Sequence, residues 1–321
     1  MNSTPNESEV GGQRSEVRAI STRPFYWSTW RELWENRSIY IVPLIVAAVE
    51  LLGFAVSTNG LAERRRAVLL LDAAKARAGI EVPYDVAAVM MIFTVFIVGL
   101  FYCLDALYGE RRDRSILFWK SLPVSDLTTV LSKAAIPLVV LPLVAFAIIV
   151  CTQFAMFLMT GAVLLAHGMS PATTWTNVPF LQNWLVLLYG LVAIALWHAP
   201  IYGWALLISG WVRRATFLWA ALPPLAIAAF EKITFNTSYV SAMLKERVFG
   251  FAPNAFDFVG RHNGTVDSLI QLTPGRYLST SGLWIGLIFA AGFVIAAIRL
   301  RRYRGPILFQ TLQLNQRREK L

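Results

Sequence analysis

The sequence predicts an all-α polytopic membrane protein: six transmembrane helices, an amphipathic interfacial helix ahead of the first, and a short cytoplasmic helix between the second and third. Three observations carry this. Hydrophobic residues make up 56% of the 321-residue chain and charged residues only 15%, against about a quarter charged in ordinary soluble domains. The apolar residues gather into six long blocks with few charges, over 39–56, 86–108, 134–160, 184–209, 215–235 and 282–300. Each is long enough, at about 1.5 Å per helical residue, to cross a hydrocarbon core of roughly 30 Å. The blocks are continuously apolar rather than alternating with period two, which favours helices over barrel strands as the way to satisfy the backbone in lipid.

Taken in order, residues 1–23, MNSTPNESEVGGQRSEVRAISTR, are polar and lack an apolar signal region. They read as a flexible cytoplasmic tail, with the first apolar block acting as its own insertion signal. PFYWSTWRELWENR over 24–37 places Trp27, Trp30 and Trp34 at spacings of three and four, with Arg31, Glu32 and Glu35 off that face. This is the pattern of a helix lying in the membrane interface, indole rings in lipid. The transmembrane domain then runs over 38–304, with no tandem repeat or low-complexity linker, and 305–321 forms a cytoplasmic tail. In the first external loop, 57–85, LAERRRAVLLLDAAKARAG is expected to be helical and to end at Pro83. The second, 161–183, is short. The third, 236–281, holds SYVSAMLKERVFGF, expected to form a short amphipathic helix. Glycosylation-type triplets at Asn236 and Asn263 are too short to be more than chance matches. Pro137, Pro142, Pro200, Pro223 and Pro224 predict kinks within spans.

Charge sets the orientation. With both ends on the cytoplasmic side, 19 of the 29 Lys and Arg residues fall inside, in accord with the positive-inside rule. Arg64, Arg65 and Arg66 run against it, in a loop long enough to translocate. The net charge of +10 lies beside the spans, where each Lys or Arg near an anionic surface contributes about 1 kcal/mol; it points to the lipid bilayer and not to nucleic acid. Cys103 and Cys151 both fall within predicted helices and suggest neither a disulfide nor a metal site.

No phosphate-binding loop, HExxH, GxSxG or paired-Cys motif occurs, and His167, His198 and His262 are scattered, so no catalytic residue, metal or cofactor is expected on this chain. Work done here would draw energy from another chain or from an ion gradient. Ionisable residues in spans are costly and mark candidate pathways: Glu50, Asp105, Lys133, His198 and Glu231. Asp105, Lys133 and Glu231 lie near helix ends, where they can snorkel or pair. His198 can donate to a carbonyl freed by Pro200. Glu50, about 16 Å along its helix from Ile39, is the candidate for lining a pathway or pairing across helices.

Between spans two and three, GERRDRSILFWKSLPVSD over 109–126 combines five consecutive charges with an apolar wedge, Ile116, Trp119 and Leu122 recurring every three residues beside Phe118. Pro123 stops this helix and Ser125 with Asp126 caps the next. Exposed Glu–Arg pairs contribute only about 0.3–0.5 kcal/mol to a helix, and Glu110 and Asp113 do nothing for topology; a mixed-charge head on an apolar wedge suits a protein partner.

YGERRDRSILFWKSLPVSDLTTVLSK over 108–133, following FYWSTWRELWENRSIY over 25–40, resembles the permease subunit of bacterial ATP-binding-cassette transporters of the ABC-2 type. The likeness extends over the layout of nearly the whole chain. It implies an elbow helix at Trp27, Trp30 and Trp34 and a coupling helix that docks on an ATPase subunit through Glu110, Arg111, Arg112, Asp113, Arg114, Ile116, Phe118 and Trp119. It also implies a dimer with a second copy or a paralogous permease, ATP and Mg on partner ATPase (nucleotide-binding) subunits, residence in the bacterial inner (cytoplasmic) membrane, and export. The competing readings are a secondary transporter or channel driven by ions, a membrane-embedded enzyme, and a non-transporting assembly scaffold.

Overall fold

The computed structural model describes residues 24–121, 124–257 and 269–304. The tails 1–23 and 305–321, Leu122, Pro123, His262 and Asn263 lie outside the described residues. The described chain is helical almost throughout, and six of its helices are long and apolar enough to cross a membrane.

Helix α1, Pro24–Glu35, turns Trp27, Trp30 and Trp34 outward and buries Ser28 and Glu32 on its other side. Asn36 Nδ2 donates to the Glu32 carbonyl at 3.1 Å, ending the helix, and α2, Ser38–Ser57, begins at once. Gly60, at φ 73°, makes the turn into α3, Leu61–Leu69. The single external helix expected to stop at Pro83 is instead two. The break falls at Leu70–Asp72, where Asp72 Oδ1 accepts from Lys75 N at 3.0 Å and caps α4, Ala73–Ala106. Pro83 lies inside α4; a proline removes one ladder bond, which tertiary contacts along so long a helix can absorb.

Leu107 interrupts the second span, and α5, Tyr108–Arg112, follows it. Both backbone N–H groups at this step, Leu107 and Tyr108, donate to Ser209 Oγ at 2.9 and 2.8 Å. Arg114, at φ 62°, turns the chain into α6, Ser115–Ser121. Ser125 Oγ accepts from Thr128 N at 3.1 Å and starts α7, Asp126–Ala135. Through a π-helical turn at Ile136–Val140, α7 runs into α8, Leu141–Ala166; Pro137 lies in that turn, where the wider winding accommodates a ring that cannot donate. The third span therefore begins well before residue 134.

The remaining helices are α9, Ala172–Asn177; α10, Phe180–Trp211; α11, Thr216–Phe235; α12, Tyr239–Phe249; α13, Phe251–Ala255; α14, Pro274–Ser279; and α15, Ser281–Tyr303. Glu231, near the end of α11, caps α12: its carboxylate accepts from Tyr239 N, Val240 N and Thr237 Oγ1, each at 2.7 Å. His198 does not serve the kink at Pro200; its Nε2 lies 2.9 Å from the Val248 carbonyl on α12.

At the centre of the bundle is α10, met by α4, α8 and the π turn, while α2 packs on α4 and α8; the shared core holds Ile39, Met91, Ile136, Leu141, Tyr202 and Leu206. Against α15 it packs through Gly203, where a Cβ would lie 3.2 Å from the Ala290 carbonyl oxygen; small residues permit such close approach between membrane helices. In contrast, α11 buries no residue. Outward faces such as Leu44, Ile45, Val49 and Leu52 of α2 and Leu218, Leu222 and Leu225 of α11 are exposed and apolar, as a bilayer requires. The chain is a multi-pass membrane protein.

Candidate functional site

One end of the bundle carries α1, α5 and α6. There α1 lies against α7, and α15 reaches the same level. Glu32, Glu110, Asp126, Lys133 and Arg301 come together from α1, α5, α7 and α15, although up to 269 positions separate Glu32 from Arg301. Lys133 Nζ donates to both Glu32 carboxylate oxygens at 2.8 and 2.9 Å and lies at ion-pair distance, 3.1 Å, from Glu110 Oε1. Tyr102 OH donates to Glu32 Oε2 at 2.8 Å and Arg31 Nη2 to Oε1 at 2.7 Å. Arg301 pairs with Glu110 through Nη1 and donates through Nε to Asp126 Oδ1 at 3.0 Å.

Three cations, Arg31, Lys133 and Arg301, thus face three carboxylates, Glu32, Glu110 and Asp126. Glu32 and Lys133 are 0% and 2% exposed. Burial opposes the charge on Glu32, but Lys133 and Arg31 outweigh it and hold the carboxyl below its ordinary range. Burial raises the neighbouring Glu35 carboxyl against the attraction of Arg31. Because desolvation consumes most of the Coulombic gain of a buried ion pair, the cluster adds little net stability. Its physical effect is registration: each of the four elements must keep its place or leave an uncompensated charge.

A second layer ties the same segment to α10. Arg111 Nη1 donates to the Gly210 and Val212 carbonyls at 2.8 and 3.2 Å, satisfying acceptors at a helix C-terminus where a cation is favoured. Above it, the Arg31 guanidinium lies 3.9 Å from the centre of the Trp119 ring, a cation–π contact joining α1 to α6.

Of the residues that the resemblance assigns to coupling, Glu110, Arg111 and Ile116 are buried, Trp119 is half-buried, and Arg112, Asp113, Arg114 and Phe118 are exposed. Arg112 Nε donates to Asp113 Oδ1 at 2.9 Å, so the exposed head is a short ion pair beside the apolar Leu117 and Phe118. Trp27, Trp30 and Trp34 are exposed along α1. Glu50 stands apart from all of these, in a largely apolar cleft of about 510 Å³ between α2 and α4. Neither of its carboxylate oxygens has a hydrogen-bond partner.

Sequence reasoning placed Glu32 on the polar side of an interfacial helix and missed its burial, along with Tyr102, Asp126 and Arg301 as its surroundings. The available signal was Lys133: a lysine within an apolar span needs an acid, and Glu32 lies opposite the tryptophans on the preceding interfacial helix. Among the described residues no group of three or more His, Cys, Asp or Glu side chains is placed to hold a metal ion. Comparisons with protein-family models, with curated proteins and with solved structures gave no match.

Proposed function

We propose that this chain is the membrane-spanning permease subunit of an ATP-driven exporter, working as a dimer, with separate ATPase subunits docked at the end that carries α1, α5 and α6. In this reading that end is cytoplasmic, and ATP and Mg belong to the partner. The observation that carries the proposal is the division of labour within residues 110–119. Arg112, Asp113, Arg114, Leu117 and Phe118 face outward, while Glu110 and Arg111 of the same segment are fastened to α7, α15 and α10. A push on the exposed wedge cannot be absorbed locally. It moves buried charges whose alternative is to lose their partners, and so displaces several spans together; packed elements with discrete arrangements are what transmit such motion.

The reading revises which residues meet the ATPase. Docking belongs to Arg112, Asp113, Arg114, Leu117 and Phe118, with Trp119 at the margin; Glu110, Arg111 and Ile116 transmit. The experiment is charge reversal at Arg112 and Asp113 together with Phe118→Ala, scored by co-purification of an ATPase subunit and by ATP-dependent transport in proteoliposomes. Loss of both, with folding intact, supports the proposal. Wild-type association and transport in the triple variant would sink it.

Glu50 favours a second reading, an ion-driven transporter or channel, because a carboxyl without a partner inside a span is the kind of group that carries protons or cations. Under that reading transport follows an imposed proton or sodium gradient without nucleotide and is abolished by Glu50→Gln. Under the first, Glu50→Gln leaves ATP-dependent transport standing.

A further inference from the structure

The helix that buries nothing, α11, leaves a chamber between itself and the bundle. The chamber measures about 550 Å³ and is walled by Leu104 of α4, Trp204 of α10, Phe217 and Ala221 of α11, and Phe289 and Phe293 of α15. Its lining extends along α11 from Phe217 to Ile227, about 15 Å at the helical rise. Trp204 Nε1 donates to the Ala220 carbonyl at 3.0 Å, holding α11 against α10 as one side wall. The outer face of that wall, including Leu218, Leu222 and Leu225, is exposed and apolar, so whatever enters the chamber from the side comes from the hydrocarbon phase.

The apolar lining is broken at one end by Arg247 of α12. Its Nη2 donates to the Gly282 carbonyl at 3.0 Å, and its guanidinium lies 5.0 Å from the centre of the Trp197 ring. Nη1 is buried and has no hydrogen-bond partner, and no carboxylate lies within ion-pair distance among the described residues. Gly282 is the second residue of α15, so the guanidinium lies beside the first turns of that span, and the lining continues from there along α15 to Phe293. Room for it depends on Gly286, where a Cβ would lie 2.5 Å from Arg247 Nη1. A half-buried cation with a buried, unused donor, at one end of a long apolar slot, complements a molecule with an anionic head and a hydrocarbon tail. The volume falls within the roughly 300–1,000 Å³ of ligand sites.

We propose that this chamber binds an anionic phospholipid of the bilayer, one acyl chain lying between α11 and the α4–α10–α15 wall and the headgroup phosphate bonded to Arg247. The proposal concerns this chain alone and does not depend on the transport reading.

The test uses the full chain, extracted from bilayers of defined phosphatidylglycerol and phosphatidylcholine content, with retained lipid counted by native mass spectrometry. Wild type is expected to keep one phosphatidylglycerol per chain, preferred over phosphatidylcholine by roughly tenfold, because both phosphates can accept from Arg247 but the choline ammonium of the second cancels its net charge and repels the guanidinium. Arg247→Gln should abolish the preference, and Arg247→Lys should keep most of it. Gly286→Ala, which pushes the guanidinium aside, should weaken it, and Ala221→Trp, which fills the slot, should remove the bound lipid. Tryptophan fluorescence and thermal midpoint show that the variants are folded. Equal retention of the two lipids by wild type, or an undiminished preference in folded Arg247→Gln, would overturn the proposal. So would a chamber that keeps added oleate and no phospholipid, since the occupant would then be a free fatty acid.

Discussion

Lys133→Met is expected to destabilise the folded chain by about 3–5 kcal/mol, the cost of removing one member of a buried ion pair. The substitution keeps an unbranched stem of similar length and adaptable shape, so it deletes a charge without opening a large cavity. What is lost is specific: hydrogen bonds to the two Glu32 oxygens at 2.8 and 2.9 Å and the ion pair to Glu110 at 3.1 Å. Glu32 keeps Tyr102 and Arg31, and Glu110 keeps Arg301, which places the expected loss toward the lower figure. Removing both members with Glu32→Leu/Lys133→Met should cost less than the two single changes summed, by at least about 1 kcal/mol, because neither charge is then stranded. Unfolding by SDS in mixed micelles, followed by tryptophan emission, measures all three variants. A Lys133→Met variant within about 0.5 kcal/mol of wild type, or strictly additive costs, would refute the view that these side chains form one buried, coupled cluster.

Acid should loosen the same region: Glu32 is held below its ordinary value, so its contribution is complete above the unfolded glutamate pKa of about 4.3 and is lost as pH falls through the depressed folded value. Glu32→Gln should flatten that acid limb of an unfolding-against-pH curve, and an unchanged limb would assign it to other carboxylates. Ser125→Ala removes the cap on α7 and should cost about 0.5–2 kcal/mol, read by the same SDS titration. Gly203→Leu forces a side chain into the α10–α15 contact, where even a Cβ meets the Ala290 carbonyl at 3.2 Å; a loss of about 1–3 kcal/mol is expected, whereas neutrality would mean that the two helices can part freely.

Much of the architecture is legible in the residue order because the bilayer simplifies the problem. A continuous apolar block must be helical, since lipid offers its backbone no other partner, and this holds for each of the six blocks without reference to its neighbours. The tryptophans of α1 are equally readable: spacings of three and four place them on one face whatever lies beneath. Local chemistry was less decisive where two local rules competed. Pro83 argued for a helix end, but the Asp72 cap gave α4 an earlier start and its contacts carried the helix through the proline.

The sequence by itself determined the fold class, the six spans and the outward aromatic face of α1, because all three follow from periodicity and from the solvent the chain must enter. Only the tertiary structure decided that Glu32 is buried and meets Lys133 and that Arg301 closes on Glu110. It also decided that Glu110 and Arg111 point inward while Arg112 and Asp113 point out, and that Arg247 caps an apolar slot. A charge carries the same symbol whether it faces water or a partner 101 positions away. Its pairing is a property of helix contacts, which depend on the shapes of all the faces at once and leave no periodic trace along the chain.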